Sequence, residues 1–131
     1  MAKPGFTVAI KRVYDQPEPG DGTRILVDRL WPRGLSKERA RVDIWLKEVA
    51  PSNDLRKWFG HDPEKFAEFR RRYEAELESE SGQEALARMR DLARQGPVTL
   101  VFAAHDSEHN NAVVLRDLLI GRGEGPLPSP R

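Results

Sequence analysis

Two stretches of the chain hold most of the residues able to do chemistry. The first, Asp28-Arg29-Leu30-Trp31-Pro32-Arg33-Gly34-Leu35-Ser36-Lys37, gathers two arginines, a lysine, a serine, a glycine and a tryptophan. Arginine's planar fork grips phosphate or carboxylate through paired bonds. Trp31 offers a stacking face, and Gly34 lets a backbone come close to a ligand. Asp28, Arg29, Trp31, Arg33, Gly34, Ser36 and Lys37 are therefore candidates for holding a small anion. A plainer reading pairs Asp28 with an arginine, lays Trp31 on the core edge and gives Gly34 a turn.

The second stretch, His105-Asp106-Ser107-Glu108-His109-Asn110-Asn111, contains two of the three histidines. It spells H-x-x-E-H, the inverted zinc-peptidase order, but that mechanism needs both histidines on one helix. Here His105 directly follows an apolar strand and little helix remains for a third ligand, so a peptidase is not expected. His105, Asp106 and His109 could form a looser divalent site, although no metal or other cofactor is expected. The competing reading is a turn and helix cap, with Asp106 and Asn110 binding backbone amides. If the loop is functional, His109 with Asp106 would orient a ligand or exchange a proton, and Asn110 would join the ligand contacts. His61, between two helical segments, is a third acid–base candidate, since an imidazole exchanges a proton near neutral pH. Packing or capping is the commoner role for such a residue.

Composition excludes other chemistries. Cysteine is absent from the 131 residues, so there is no thiol nucleophile, disulfide or thiolate metal site. No phosphate-cradling glycine loop, dinucleotide fingerprint or G-x-S-x-G elbow occurs. No apolar run approaches a membrane span and the first residues carry no apolar leader, so a cytoplasmic protein without membrane contact is expected. Net charge is only +1, with 22 basic and 21 acidic residues, yet 16 of the basic ones are arginine. Up to His61 the balance is +4, and from Asp62 to Asp91 it is −3.

The elements that must position these loops follow from periodicity and punctuation. Phe6 to Val13 and Thr23 to Leu30 read as strands, the second broken at once by Trp31-Pro32-Arg33-Gly34. Ser36 suits the cap of a short helix. Residues 42–49 are ambiguous, with a lean toward a short strand. Ser52 caps a helix over Asn53-Asp54-Leu55-Arg56-Lys57-Trp58-Phe59, and Asp62-Pro63 starts the next. In that next helix Phe66, Phe69, Tyr73 and Leu77 make one apolar stripe. A further helix runs from Glu84 to Arg94 and ends at Gly96-Pro97. Val98 to Ala104 is apolar almost throughout, a strand covered on both faces. A last helix spans about Asn111 to Ile120, and the tail 121–131 has the composition of a disordered segment. Interleaving of this kind predicts one α/β domain over residues 1–120, a single compact unit with a largely parallel, possibly mixed, sheet and helices on both faces. Ligands of such sheets bind at the carboxyl ends of strands, which is where both loops fall.

The run Arg24 to Lys37, with Trp45-Leu46-Lys47-Glu48, Ala50-Pro51-Ser52, Leu55 to Phe59, His61-Asp62-Pro63 and Glu108 to Ala112, resembles the YeaO-like bacterial proteins over about residues 6 to 119. These fall within a larger family of unknown function. The resemblance implies a compact α/β domain, and it brings no established activity. Many members of the larger family carry an Asp-x-Arg-like element after one strand and a Cys-His-Arg run after a later one. Val27-Asp28-Arg29 matches the first. Asn110, Asn111 and Ala112 stand where the second would be, so cysteine-dependent chemistry does not carry over. Some relatives are linked to nucleic-acid base modification, which is an analogy only.

The leading expectation is thus a small anionic or nucleotide-like ligand held between loops 28–37 and 105–111, with turnover left open. A nucleic-acid-binding module using Arg and Trp of residues 24–61 is the rival, and a protein-interaction domain the third reading. Sequence says nothing of oligomeric state.

Overall fold

The computed structural model describes residues 7–121. Four strands, β1 (Val8–Arg12), β2 (Thr23–Leu26), β3 (Ile44–Trp45) and β4 (Val98–Phe102), form one sheet in the order β1-β4-β2-β3. Every pairing is parallel. The central strand β4 is buried at all five positions, as its apolar run predicts. The tail beyond Gly121 lies outside the described residues.

Strand alternation divides the core in two. Ile25, Val27, Val98, Leu100 and Phe102 face the larger cluster. That face is covered by α2 (Asn53–Phe59), α3 (Phe66–Glu76), α4 (Glu80–Gln95) and α5 (Asn111–Ile120). From α3 and its C-terminal cap it receives Phe69, Tyr73 and Leu77 of the predicted stripe, with Phe66 partly buried beside them. Leu26 and Val101 point the other way, toward Val13, Ala40, Trp31 and Trp45. Among the described residues α1 (Lys37–Ala40) is the one α-helix on that second face, where Trp31, Leu35 and Val42 from the flanking loops also pack. Helices do lie on both faces, but very unequally.

The caps explain most helix starts. Ser36, Ser52 and Asn110 each accept a backbone N–H from three residues on. Ser79 does the same for α4, which therefore starts at Glu80, ahead of the expected Glu84. Two strand expectations need correction. The second strand ends at Leu26 and does not reach Leu30, because the Asp28 carboxylate takes the Ala103 N–H (2.9 Å) that a backbone carbonyl would otherwise accept. Residues 42–49 form a strand only at Ile44–Trp45, where β2 supplies partners, and then turn into a 3-10 segment at Lys47–Val49.

The candidate site at the carboxyl end of the sheet

After β2 the chain leaves toward α1 on the second face, and after β4 it leaves toward α5 on the first. Between these diverging connections lie the carboxyl ends of β2 and β4, the position at which α/β proteins place ligands. Asp28 sits there, half-buried. One carboxylate oxygen accepts the Ala103 N–H (2.9 Å), and the other accepts the Asn111 Nδ2–H (3.1 Å). Asn111 also donates to the Val27 carbonyl (2.9 Å), and the Trp45 indole N–H donates to the Asp28 carbonyl (2.8 Å). Burial pushes the Asp28 carboxyl above its ordinary value, against the pull of these N–H groups and of the positive charges of Arg56 and His61. Arg56 is exposed on α2, where it donates to the Asn53 side-chain oxygen (3.2 Å), and His61 is exposed just after that helix.

An aromatic run links His61 and His109. His61 lies 6.4 Å from Phe59, Phe59 lies 6.1 Å from Phe66, and Phe66 meets the edge of His109 at 5.3 Å. His61 follows Gly60, and both have left-handed backbone (φ 60° and 56°). For a residue with a side chain this conformation is uncommon and recurs at functional sites. His109 Nδ1 is 2.9 Å from Asp106. The Glu108 N–H and this histidine hold the Asp106 carboxyl below its ordinary value. The pair leaves His109 Nε2 as the ring's remaining polar atom.

The other predicted residues separate. Arg29 directs Nε and Nη2 onto the carbonyls of Pro51 and Ala50 (3.3 Å each), bracing the segment that precedes α2. Tyr73 Oη–H reinforces that bracing by donating to the Val49 carbonyl. Trp31 donates its indole N–H to Leu35 (2.6 Å) and packs edge-on against Trp45 at 5.4 Å. Arg33 and Lys37 are exposed, and the Arg33 carbonyl accepts the Tyr14 hydroxyl (2.8 Å). Gly34 serves a left-handed turn (φ 75°), with no protein atom within 4 Å of where a Cβ would stand. Ser36 caps α1. Asn110 is buried as the cap of α5, its amide committed to Val113 N–H and the Asp106 carbonyl. Its neighbour Asn111 is the asparagine that reaches Asp28.

His105 is exposed, and among the described residues no three His, Cys, Asp or Glu side chains gather as metal ligands. Both histidines of the H-x-x-E-H run precede α5, so neither lies on a helix. Sequence reasoning overlooked Arg56 and Asn111. The signal for Arg56 was its place one turn before Gly60-His61; for Asn111 it was the first position of a capped helix.

A broad open concavity of about 1200 Å³ lies elsewhere, over the second face, lined by residues including Tyr14, Glu18, Arg24, Leu35, Arg41 and Asp43. Its floor is already committed internally. Arg24 donates to Asp21 (2.7 Å) and to the Ala40 and Arg41 carbonyls, and Asp21 also accepts from Lys11 (2.9 Å). The convergence of strand ends, not the size of this hollow, marks the candidate site.

Comparison with known proteins then places the chain. Residues 7–124 match the family described as the inactive DUF488-N3 subclade. The chain belongs to that subclade. It is 46% identical over 114 residues to the uncharacterized protein YeaO of Escherichia coli K12, covering 87% of this chain and 97% of YeaO. Uncharacterized proteins of Mycobacterium tuberculosis and Mycobacterium bovis are 47% identical over 115 residues, covering 88% of this chain and 95% of theirs. No solved structure matches. Among the described residues no helix is long and apolar enough to cross a membrane.

Proposed function

We propose that this member of the subclade binds a small anionic, nucleotide-like ligand between the ends of β2 and β4. The observation that supports the reading is the bonding of the half-buried Asp28 carboxylate to Asn111 where β2 and β4 end, with Arg56 and His61 exposed on the elements that follow. Exposed Arg33 and Lys37 on the adjoining loop add positive charge for a phosphate. Asp28 supplies acceptors for ligand N–H or O–H groups, so anion and hydrogen-bond donor are recognised together.

Binding without turnover is favoured by the side chains at the end of β4. Asn110 and Asn111 are tied into hydrogen bonds, and Ala112 is buried. The word "inactive" in the subclade's description agrees with that. The His109–Asp106 pair is an arrangement able to hold and move a proton at the ring's other nitrogen. A cysteine-free chain suits a reducing cytoplasm, where we place it. Stacking of nucleic-acid bases is disfavoured because the tryptophans have partners within the chain. Trp31 and Trp45 pack together, Lys47 lies over Trp45 (4.2 Å), and Arg72 and Lys65 lie over Trp58 (4.2 and 5.0 Å).

A thermal-shift screen with nucleoside monophosphates, sugar phosphates and short oligonucleotides tests the reading. A ligand at ~100 times its dissociation constant should add about 2.7 kcal/mol of stability. Arg33→Ala should abolish the shift without moving the unliganded midpoint. Absence of a shift with every phosphate-bearing compound would overturn the proposal.

A further inference from the structure

We propose that the free edge of β1 is the surface through which two copies of this chain pair, antiparallel, joining their four-stranded sheets into one. The sheet has two edges. β3 offers only Ile44–Trp45, whereas β1 runs for five residues and pairs with β4 alone. The Val98 N–H donates to the Thr7 carbonyl (3.0 Å), and the Val13 N–H donates to the Phe102 carbonyl (2.7 Å). Backbone groups alternate sides along a strand. Thr7, Ala9, Lys11 and Val13 therefore turn theirs to β4, and Val8, Ile10 and Arg12 turn theirs outward. Among the described residues the Arg12 carbonyl is the one outward group with a backbone partner, the Asp15 N–H (3.0 Å). β1 is partly or fully exposed at every position, in contrast to the buried β4.

Edge strands ordinarily resist such pairing with free charges, above all lysine. β1 carries two cations and commits both within its own chain. Lys11 Nζ donates to Asp21 (2.9 Å), Glu18 (3.0 Å) and the Gln16 carbonyl (3.2 Å). The Arg12 guanidinium donates to the Ala103 and Ala104 carbonyls (3.2 and 2.9 Å). A second β1 thus meets no unpaired charge. The edge is also complementary to itself. With a two-fold axis through Ile10, each Ile10 N–H donates to the Ile10 carbonyl of the other copy. Val8 then stands opposite Arg12 of the other copy, and these pairs satisfy the remaining outward groups. Val8 and Ile10 pack against the larger core cluster, beneath α5, and meet their counterparts on that same side of the joined sheet. On the other side Ala9 is small and exposed, so no bulk keeps the strands apart. The arrangement closes at two copies. One strand pair with α5 beside it is small against the roughly 1,200 Å² of the least extensive stable interfaces, so the dimer should dissociate on dilution.

The test is sedimentation of the full chain over about a hundredfold range of micromolar concentration. The mass should rise with concentration from 14.9 kDa toward twice that value. Val8→Pro removes one outward N–H from each copy and sets a ring in the path of the other strand, while proline is tolerated at the first residue of a strand. It should weaken the association at least about tenfold and leave the thermal midpoint of the dilute protein unmoved. The register has its own test, because the chain is free of cysteine and a single introduced thiol can link only to its counterpart. Across the axis two Ile10 Cα atoms stand about 5.5 Å apart, within disulfide reach. Two Ala9 Cα atoms are offset by two residues and fall beyond about 7 Å. On mild oxidation Ile10→Cys should therefore form a covalent dimer and Ala9→Cys should not. A chain that stays monomeric at every concentration would overturn the proposal. So would a dimer that Val8→Pro leaves intact, or one that links through Ala9→Cys as readily as through Ile10→Cys. If Val8→Pro does not fold, the two cysteine variants still decide.

Discussion

Asp21 and Asp28 flank the same strand, β2, and meet opposite electrostatic fates. Asp21 is the more buried, at 7% exposure, and burial alone would raise its carboxyl. Lys11, the Glu18 N–H and Arg24 more than offset that, and the group ends below its ordinary value of 3.8. Asp28 is the more exposed, yet it ends above that value, because its cations act from a distance and its direct partners are an amide and a backbone N–H. The amino end of the sheet surrounds its acid with matched charge and closes. The carboxyl end leaves its acid short of compensation, which costs stability.

The largest way to break this contrast is to strip Asp21 of its closest partner. Arg24→Met should cost about 3–5 kcal/mol in urea unfolding, since it leaves a buried carboxylate with Lys11 as its one cation and the Glu18 N–H as its other partner. A loss under 1 kcal/mol would show that the triad of charges is not what closes the second face.

The pH dependence of stability should carry opposite signs at the two sites. Stability from Asp21, whose folded value is lowered, is present above 3.8 and is lost as pH falls through that lowered value. The Asp28 contribution, its folded value being raised, is present below 3.8 and is lost as pH rises through that raised value. Relative to the unaltered protein, Asp21→Asn should therefore grow less stable as pH rises from about 2 to 4, and Asp28→Asn more stable as pH rises from about 4 to 7. Parallel slopes in urea unfolding across that range would remove the distinction.

The smallest effect concerns the backbone at His61. His61→Gly relieves a left-handed residue and should stabilise the fold by roughly 0.5 kcal/mol, the strain relief being reduced by the freer unfolded chain. The same change should weaken anion binding. A variant that is destabilised would show that the His61 ring against Phe59 outweighs its backbone strain.

Sequence made the frame legible where local chemistry decides it. Ser52 announces α2, the apolar run announces β4, and the spacing of Phe69, Tyr73 and Leu77 announces the buried side of α3. It was silent where a residue far along the chain decides. The end of β2 depends on Asp28 finding the Ala103 N–H, 75 positions away. The choice between Asn110 and Asn111 turns on a single helical position, since the cap looks inward and its neighbour looks back to Val27. Arg56 looks like any cation on a solvated helix. The Lys11–Asp21–Arg24 cluster leaves no local mark, because nothing near it in sequence shows that the second face would be covered so thinly.

The strand order also sets a timetable for synthesis. β4 lies between β1 and β2, and it is made last of the four. As the chain emerges from the ribosome, β1 has no neighbour to pair with until Val98–Phe102 arrives some 85 residues after Arg12. Until then the growing chain carries an unpaired first strand, and β2 is backed only by the two residues of β3. Nascent chains stalled before residue 98 should accordingly be open to proteases and chaperones, and those stalled well past it should be closed to both.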